Sequence, residues 1–218
     1  MTIPAGYLVY HPKRECQNFN NTVVHFDKPK HNQDPYIWNK QFLHSTCHIT
    51  QMRTGVGQII FWVSGDTFPH FTNLYCDLVF VVKDKFFWED KNKIELNDKL
   101  VDSENAYKDH YYHVPIDHPY KRRRRYTLKA DELTSFQPQS RKSGELVDLL
   151  PILIGQGYSL NHLHSSFKAG RGSKPIPLED KSIVLEIYNT IEKQSNNKLF
   201  GKHLEQIRIQ NPQLQSPL

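Results

Sequence analysis

Five consecutive cations, Lys121, Arg122, Arg123, Arg124 and Arg125, are the densest charge in the sequence. Guanidinium forks hold phosphate oxygens in pairs, so this run predicts contact with a nucleic-acid backbone. Residues 119–145 carry eight cations against three carboxylates, an excess equal to the net charge of +5 for all 218 residues. In an extended segment alternate side chains face opposite sides. Arg122 and Arg124 would then meet phosphates on one face, while Arg123 and Arg125 meet acidic groups of the protein on the other, or the reverse. The competing reading of such a run is a solvated basic loop or a protein-interaction stripe.

Stacking on a base requires an aromatic face outside the core. Trp62 and Trp88 border apolar runs and are expected in the core, whereas Trp38 lies in the polar setting Tyr-Ile-Trp-Asn-Lys. Trp38, with His44 and Arg53, is the candidate lining of a pocket for a flipped or single-stranded base. A second constellation is Asp77, at the head of an apolar strand, with Glu89 and Lys91 after it. It resembles the PD-(D/E)xK nuclease pattern, which implies two carboxylates on Mg2+ or Mn2+ and a lysine assisting the activated water. Histidines recur at 44 and 48 and at 110, 113 and 118, without a Cys-x-x-Cys or His-Glu-x-x-His partner. No metal site is predicted from them. His48-Ile-Thr50 and His164-Ser-Ser166 have the form of a two-histidine phosphoesterase pair, but His164 falls in a helical stretch. No phosphate-cradling glycine motif is present, so no cofactor is expected outside the nuclease reading.

These residues need elements to position them. Aromatics make up 12% of the chain, which favours sheet. Strands are expected at Tyr7–Tyr10, Thr22–Phe26, Gln58–Val63, Leu74–Val82 and Tyr126–Leu128, and a loop at Ser135–Gln139. The two longest apolar signals, Gln58–Val63 and Leu74–Val82, either side of a Gly- and Pro-bearing loop, read as neighbouring strands buried on both faces. Beyond Ser143 the period becomes helical. One helix is expected through Leu146–Leu153, with Ser143 as N-cap and Pro151 kinking or ending it. A short one follows near Leu160–Phe167, then one on Ile183, Ile187 and Ile191, then another over Leu199–Ile209. The expected class is α+β: a small curved or barrel-like mixed sheet over residues 1–140, with a helical C-terminal appendage over 141–218. The three cysteines are odd in number and unpaired in motif, which predicts reduced thiols and a cytoplasmic setting. Neither a signal peptide nor a membrane span is expected.

The central stretch resembles the PUA-like superfamily, including EVE-type and nucleotide-modification-associated domains. The residues that carry the resemblance are Cys47-His-Ile49, Arg53, Gly57-Gln-Ile-Ile-Phe-Trp62 and Tyr75-Cys-Asp-Leu-Val-Phe-Val-Val82, within roughly residues 7–128. Gln58 stands where that family commonly has Asp. The resemblance implies a curved sheet that recognises RNA, or DNA with modified bases, in a modification or defence context such as restriction-modification. The expected function is therefore nucleic-acid binding. Two alternatives stand beside it: a metal-dependent nuclease, and a protein-interaction module using the Ile183/Ile187/Ile191 face. Whether the protein is an enzyme is left open by the residues.

Overall fold

A computed structural model describes residues 5–11, 15–19, 22–26, 43–44, 52–67, 70–87, 126–140, 144–168 and 174–200, together with 206 and 210. At its centre are two strands, β5 (Ile59–Gly65) and β6 (Leu74–Phe87). All seven residues of β5 are buried, as expected for an apolar run covered on both faces. β5 pairs antiparallel with β6 from Ile59↔Val81 to Gly65↔Leu74. On its other side β5 pairs parallel with β1 (Gly6–His11), and β1 pairs antiparallel with β9 (Ile176–Leu178). Beyond β6 lie β8 (Phe136–Gln139) and then β10 (Asn197–Phe200), giving the order β10-β8-β6-β5-β1-β9. The far half of β6 takes a different partner, β7 (Tyr126–Ala130), which in turn pairs with β4 (Leu43–His44). A separate hairpin joins β2 (Glu15–Phe19) to β3 (Thr22–Phe26).

The protein is α+β with a mixed sheet, and among the described residues that sheet is open, bordered by β9 and β10, not closed into a barrel. Pro177 occupies the exposed middle position of β9, opposite Tyr7. A proline without an N–H is readily accommodated at a border. The chain beyond residue 140 is also less purely helical than expected, because it supplies β9 and β10 to the same sheet. It contributes three described helices as well: α1 (Leu150–Gly155), α2 (Leu160–Lys168) and α3 (Lys181–Gln194).

Several local expectations change for identifiable reasons. Ser135–Gln139 is a strand, not a loop: Phe136 enters the core and Gln137 and Gln139 are buried on the other face. Leu146–Leu149 is extended, with bridges Gln139↔Leu146 and Tyr75↔Asp148, so tertiary pairing overrides the helical period there. Pro151 sits in the first turn of α1, where its missing N–H costs nothing, and so starts the helix it was expected to kink. Leu199 lies in β10 and not in a helix.

One face of the sheet carries the helices. Leu8, Tyr10, Phe61, Val63, Val79 and Phe136 pack there against Leu149, Leu153, Leu163, Phe167, Val184, Ile187 and Ile191. α3 is held at its start by Asp180, whose carboxylate accepts from Ser182 N at 2.7 Å. Its apolar stripe is spent in this core: Ile187 and Ile191 are fully enclosed. That face is therefore not available for docking a partner in the folded protein. Replacing Ile187 with Ala should cost about 2–5 kcal/mol in urea unfolding. Leu185→Ala, on the exposed side of the same helix, should stay within about 0.5 kcal/mol.

Candidate functional site

Of the residues singled out as a nucleic-acid interface, His44 lies in β4 of a ribbon β4–β7–β6, and Arg53 lies in a turn beside it. Leu128 of β7 pairs with Lys85 of β6 on one side and with His44 of β4 on the other, so the three share one row. Adjacent strands lie about 4.8 Å apart, which puts the His44 and Lys85 backbones roughly 10 Å from each other. Lys85 Nζ donates to the carbonyl of Thr54 at 2.8 Å, which ties the neighbouring Arg53 to the same row. Arg53 itself is exposed. The basic run 121–125 is covalently joined to Tyr126, the first residue of β7, which pairs with Phe87. A register shift between Val82 and Asp84 leaves Lys83 as the extra residue of a bulge, and its side chain is exposed. The described cations of the region are thus Arg53, Lys83, Lys85 and Lys129, set among Asp84, Asp131 and Glu132.

The turn that carries Arg53 is built by Gln58, which is buried. Its Oε1 accepts from Gly55 N at 2.6 Å and its Nε2 donates to Arg53 O at 3.4 Å. Gly57 takes a positive φ of 85° at the corner, and Arg53 N donates to the Tyr7 hydroxyl at 2.7 Å. Gln58 therefore has a local structural task. Its amide both donates and accepts, which a carboxylate cannot do.

Asp77 has a different environment. In β6 it is the extra residue of a second bulge, between the pairs Trp62↔Leu78 and Val63↔Cys76. It is fully buried and accepts from Ser64 Oγ at 2.9 Å. Ser64, Asp77, Gln137 and Gln139 form a buried polar track across β5, β6 and β8, on the side away from the helices. Gln137 Nε2 reaches the Asp77 carbonyl at 3.3 Å. Burial raises the Tyr10 phenol, opposed by a backbone hydrogen bond at Gly65 and reinforced by the charges of Asp77 and Asp66. Burial, then Asp77, pushes the Cys76 thiol well above its ordinary value, so it is held protonated. About 33 Å of continuous strand separates Asp77 from Phe87. The structure does not bring Asp77 toward that end of β6. Glu89, Lys91, Trp38 and the run Lys121–Arg125 lie outside the described residues.

A third polar group closes the opposite end of the sheet. Asp66 accepts from Thr72 N at 2.7 Å, Asn73 N at 3.0 Å and Thr72 Oγ1 at 2.6 Å. Asp148 accepts from Asn73 Nδ2, Leu74 N and Leu150 N, linking the start of β6 to α1. His164, on α2, makes a 2.9 Å contact from Nε2 to Phe71 O, and its ring meets that of His70 edge-on at 5.4 Å. Among the described residues no group of three or more His, Cys, Asp or Glu side chains converges to hold a metal ion, and no helix is long and apolar enough to cross a membrane. Of the polar track only Asp77 was singled out from the sequence, as a carboxylate of the nuclease reading, and the Asp66–Asp148 group was not singled out. The signal for the first was an Asp inside an otherwise apolar run. Comparison with protein-family models, curated proteins and solved structures gives no match for this chain.

Two outcomes follow from these hydrogen bonds. Gln58→Ala should lower stability by about 1–3 kcal/mol, because the backbone groups it serves lose their partners; urea unfolding measures this. The Thr72 hydroxyl and the Asn73 amide hold the Asp66 carboxyl well below the usual carboxylate range. A depressed folded-state value contributes stability above the unfolded value, about pH 4. That contribution is lost as pH falls below it toward the folded value. Thermal unfolding between pH 5 and about pH 2 should therefore fall less steeply for Asp66→Asn than for the parent protein.

Proposed function

We propose that this protein binds nucleic acid along the β4–β7–β6 ribbon. In this reading the Lys121–Arg125 run neutralises phosphates, and the region of His44 and Arg53, with Trp38, receives a flipped, single-stranded or modified base. The observation that carries it is the shared row His44–Leu128–Lys85, with Arg53 tied on through Thr54. Of the residues chosen for base contact, His44 lies on this ribbon and Arg53 is tied to it, while those chosen for phosphate contact immediately precede β7 in sequence. The chain's whole excess of positive charge borders β7 in sequence, which favours a polyanion over a neutral partner. The fit to a PUA-like domain stays within this proposal, since a curved mixed sheet bearing a base pocket is what that resemblance implies.

The test is fluorescence anisotropy with labelled single-stranded DNA, single-stranded RNA and duplex DNA, titrated at several salt concentrations. Five phosphate contacts should give a slope of log K against log salt of about −3 to −4 on single strands. The combined variant Arg122→Ala, Arg123→Ala, Arg124→Ala and Arg125→Ala should make that slope shallower by roughly three. A mismatched base is cheaper to extrude, so use of the pocket predicts tighter binding to a mismatched duplex than to a matched one. Absence of binding at low salt, or an unchanged slope in the variant, would overturn the proposal.

A further inference from the structure

The turn that carries Arg53 is braced by side chains from three consecutive parts of the sheet. Met52 and Thr54, the neighbours of Arg53 in the chain, are buried, while Arg53 is exposed. Alternation therefore turns the arginine outward from a backbone that is held inward. From β1, the Tyr7 hydroxyl accepts from Arg53 N at 2.7 Å. Just before β5, the Gln58 amide accepts from Gly55 N at 2.6 Å and donates to Arg53 O at 3.4 Å. From β6, Lys85 Nζ donates to Thr54 O at 2.8 Å. The main chain adds a bond from Gly57 N to Val82 O at 2.8 Å, and Gly57 takes the left-handed corner that leads into β5. Residues 53–55 are thus fixed by groups whose own places are set by the β1–β5–β6 ladder.

Neutralising a phosphate tolerates a mobile cation, whereas a base edge has to be met at a set distance and angle. Bracing the backbone beneath a side chain serves the second task. The guanidinium carries five N–H donors and no acceptor. Guanine sets two acceptors, O6 and N7, side by side; adenine sets a donor beside N7, cytosine presents a donor, and thymine a single acceptor. A donor-only fork therefore selects guanine. Val56, at the tip of the same turn, is 68% exposed. An apolar side chain offers nothing to a phosphate but can lie against the face of a base. We propose that the 53–57 turn is a pre-formed reading element: Arg53 meets the O6/N7 edge of an unpaired guanine, and Lys85 is a positioning residue that acts through Thr54 and not through phosphate. This rests on the nucleic-acid reading above and adds to it the base and the device that aims the arginine. Lys83, two residues before Lys85, is exposed at its bulge and supplies a charge-matched comparison on the same strand.

Fluorescence anisotropy on the full chain tests this with three single-stranded DNA probes of equal length: one carrying guanines, one with adenine in their place, and one with 7-deazaguanine, which lacks the N7 acceptor. The guanine strand should bind about tenfold more tightly than either of the others. Arg53→Lys keeps the charge and loses the fork, so it should abolish that preference. Lys85→Gln should reduce the preference at least threefold with an unchanged salt slope, and Lys85→Arg, which can still donate to Thr54 O, should restore it. Lys83→Gln should weaken the guanine and adenine strands alike. If Lys85→Gln does not fold, Tyr7→Phe, which removes only the hydroxyl that holds Arg53 N, should reduce the preference in the same way. Equal binding of the guanine and adenine strands overturns Arg53 as a reader of guanine and leaves nucleic-acid binding standing. A Lys85→Gln variant that keeps the preference while its slope becomes shallower by about 0.7 makes Lys85 a phosphate contact and overturns its positioning role. Failure of every strand to bind at low salt overturns the nucleic-acid reading itself, and this inference with it.

Discussion

The antiparallel pairing of β5 with β6 is the constraint from which the other elements take their places. β5 is buried along its whole length and β6 runs for fourteen residues, twice as far as its partner. The overhang has to be matched by something else, and β7 takes it, bringing β4 with it. Two bulges adapt the long strand to its partners, and they have opposite results. The first, at Asp77, turns a carboxylate into the protein, where Ser64 meets it. The second, at Lys83, turns a cation out to solvent. A single irregularity in a ladder thus decides whether a charge is structural or available to a partner.

Strands with strong apolar signals were legible in the sequence. β1, β3, β5, β7 and the first part of β6 lie where alternation or continuous apolar character put them, and α2 and α3 follow the helical period. What was not legible depended on partners distant in the chain. Gln137 and Gln139 read as loop residues because amides and a proline suggest a turn; they become strand because β10 pairs along the segment and β6 meets it at Phe136. Leu146–Leu149 has helical spacing, but the Gln139↔Leu146 and Tyr75↔Asp148 bridges hold it extended. β4 has only two residues and no local signature, so its union with β7 was invisible. Of the candidate site, Arg53 and His44 could be named but not related to each other. Their link runs through Lys85 and Thr54, which nothing in the local sequence connects.

Amide side chains organise the interior as much as apolar ones do. Gln58 closes the Arg53 turn, and Gln137 and Gln139 hold β3, a strand that has no ladder partner on that side among the described residues. Each uses a group that can donate and accept at once, so backbone atoms of either kind are satisfied without introducing charge. Glutamate at any of these positions would keep the shape and lose the donor. The arrangement specifies geometry more than it adds stability, since each neutral hydrogen bond contributes only about 1 kcal/mol net.

The proline in the middle of β9 has an effect outside the molecule. A sheet border normally offers a row of donors and acceptors on which another chain can continue the ladder. Among the described residues this border is three residues long, only its middle one is exposed, and that nitrogen has no hydrogen to offer. A ladder continued across that margin would lack the hydrogen bond of its central residue, which disfavours edge-to-edge growth there.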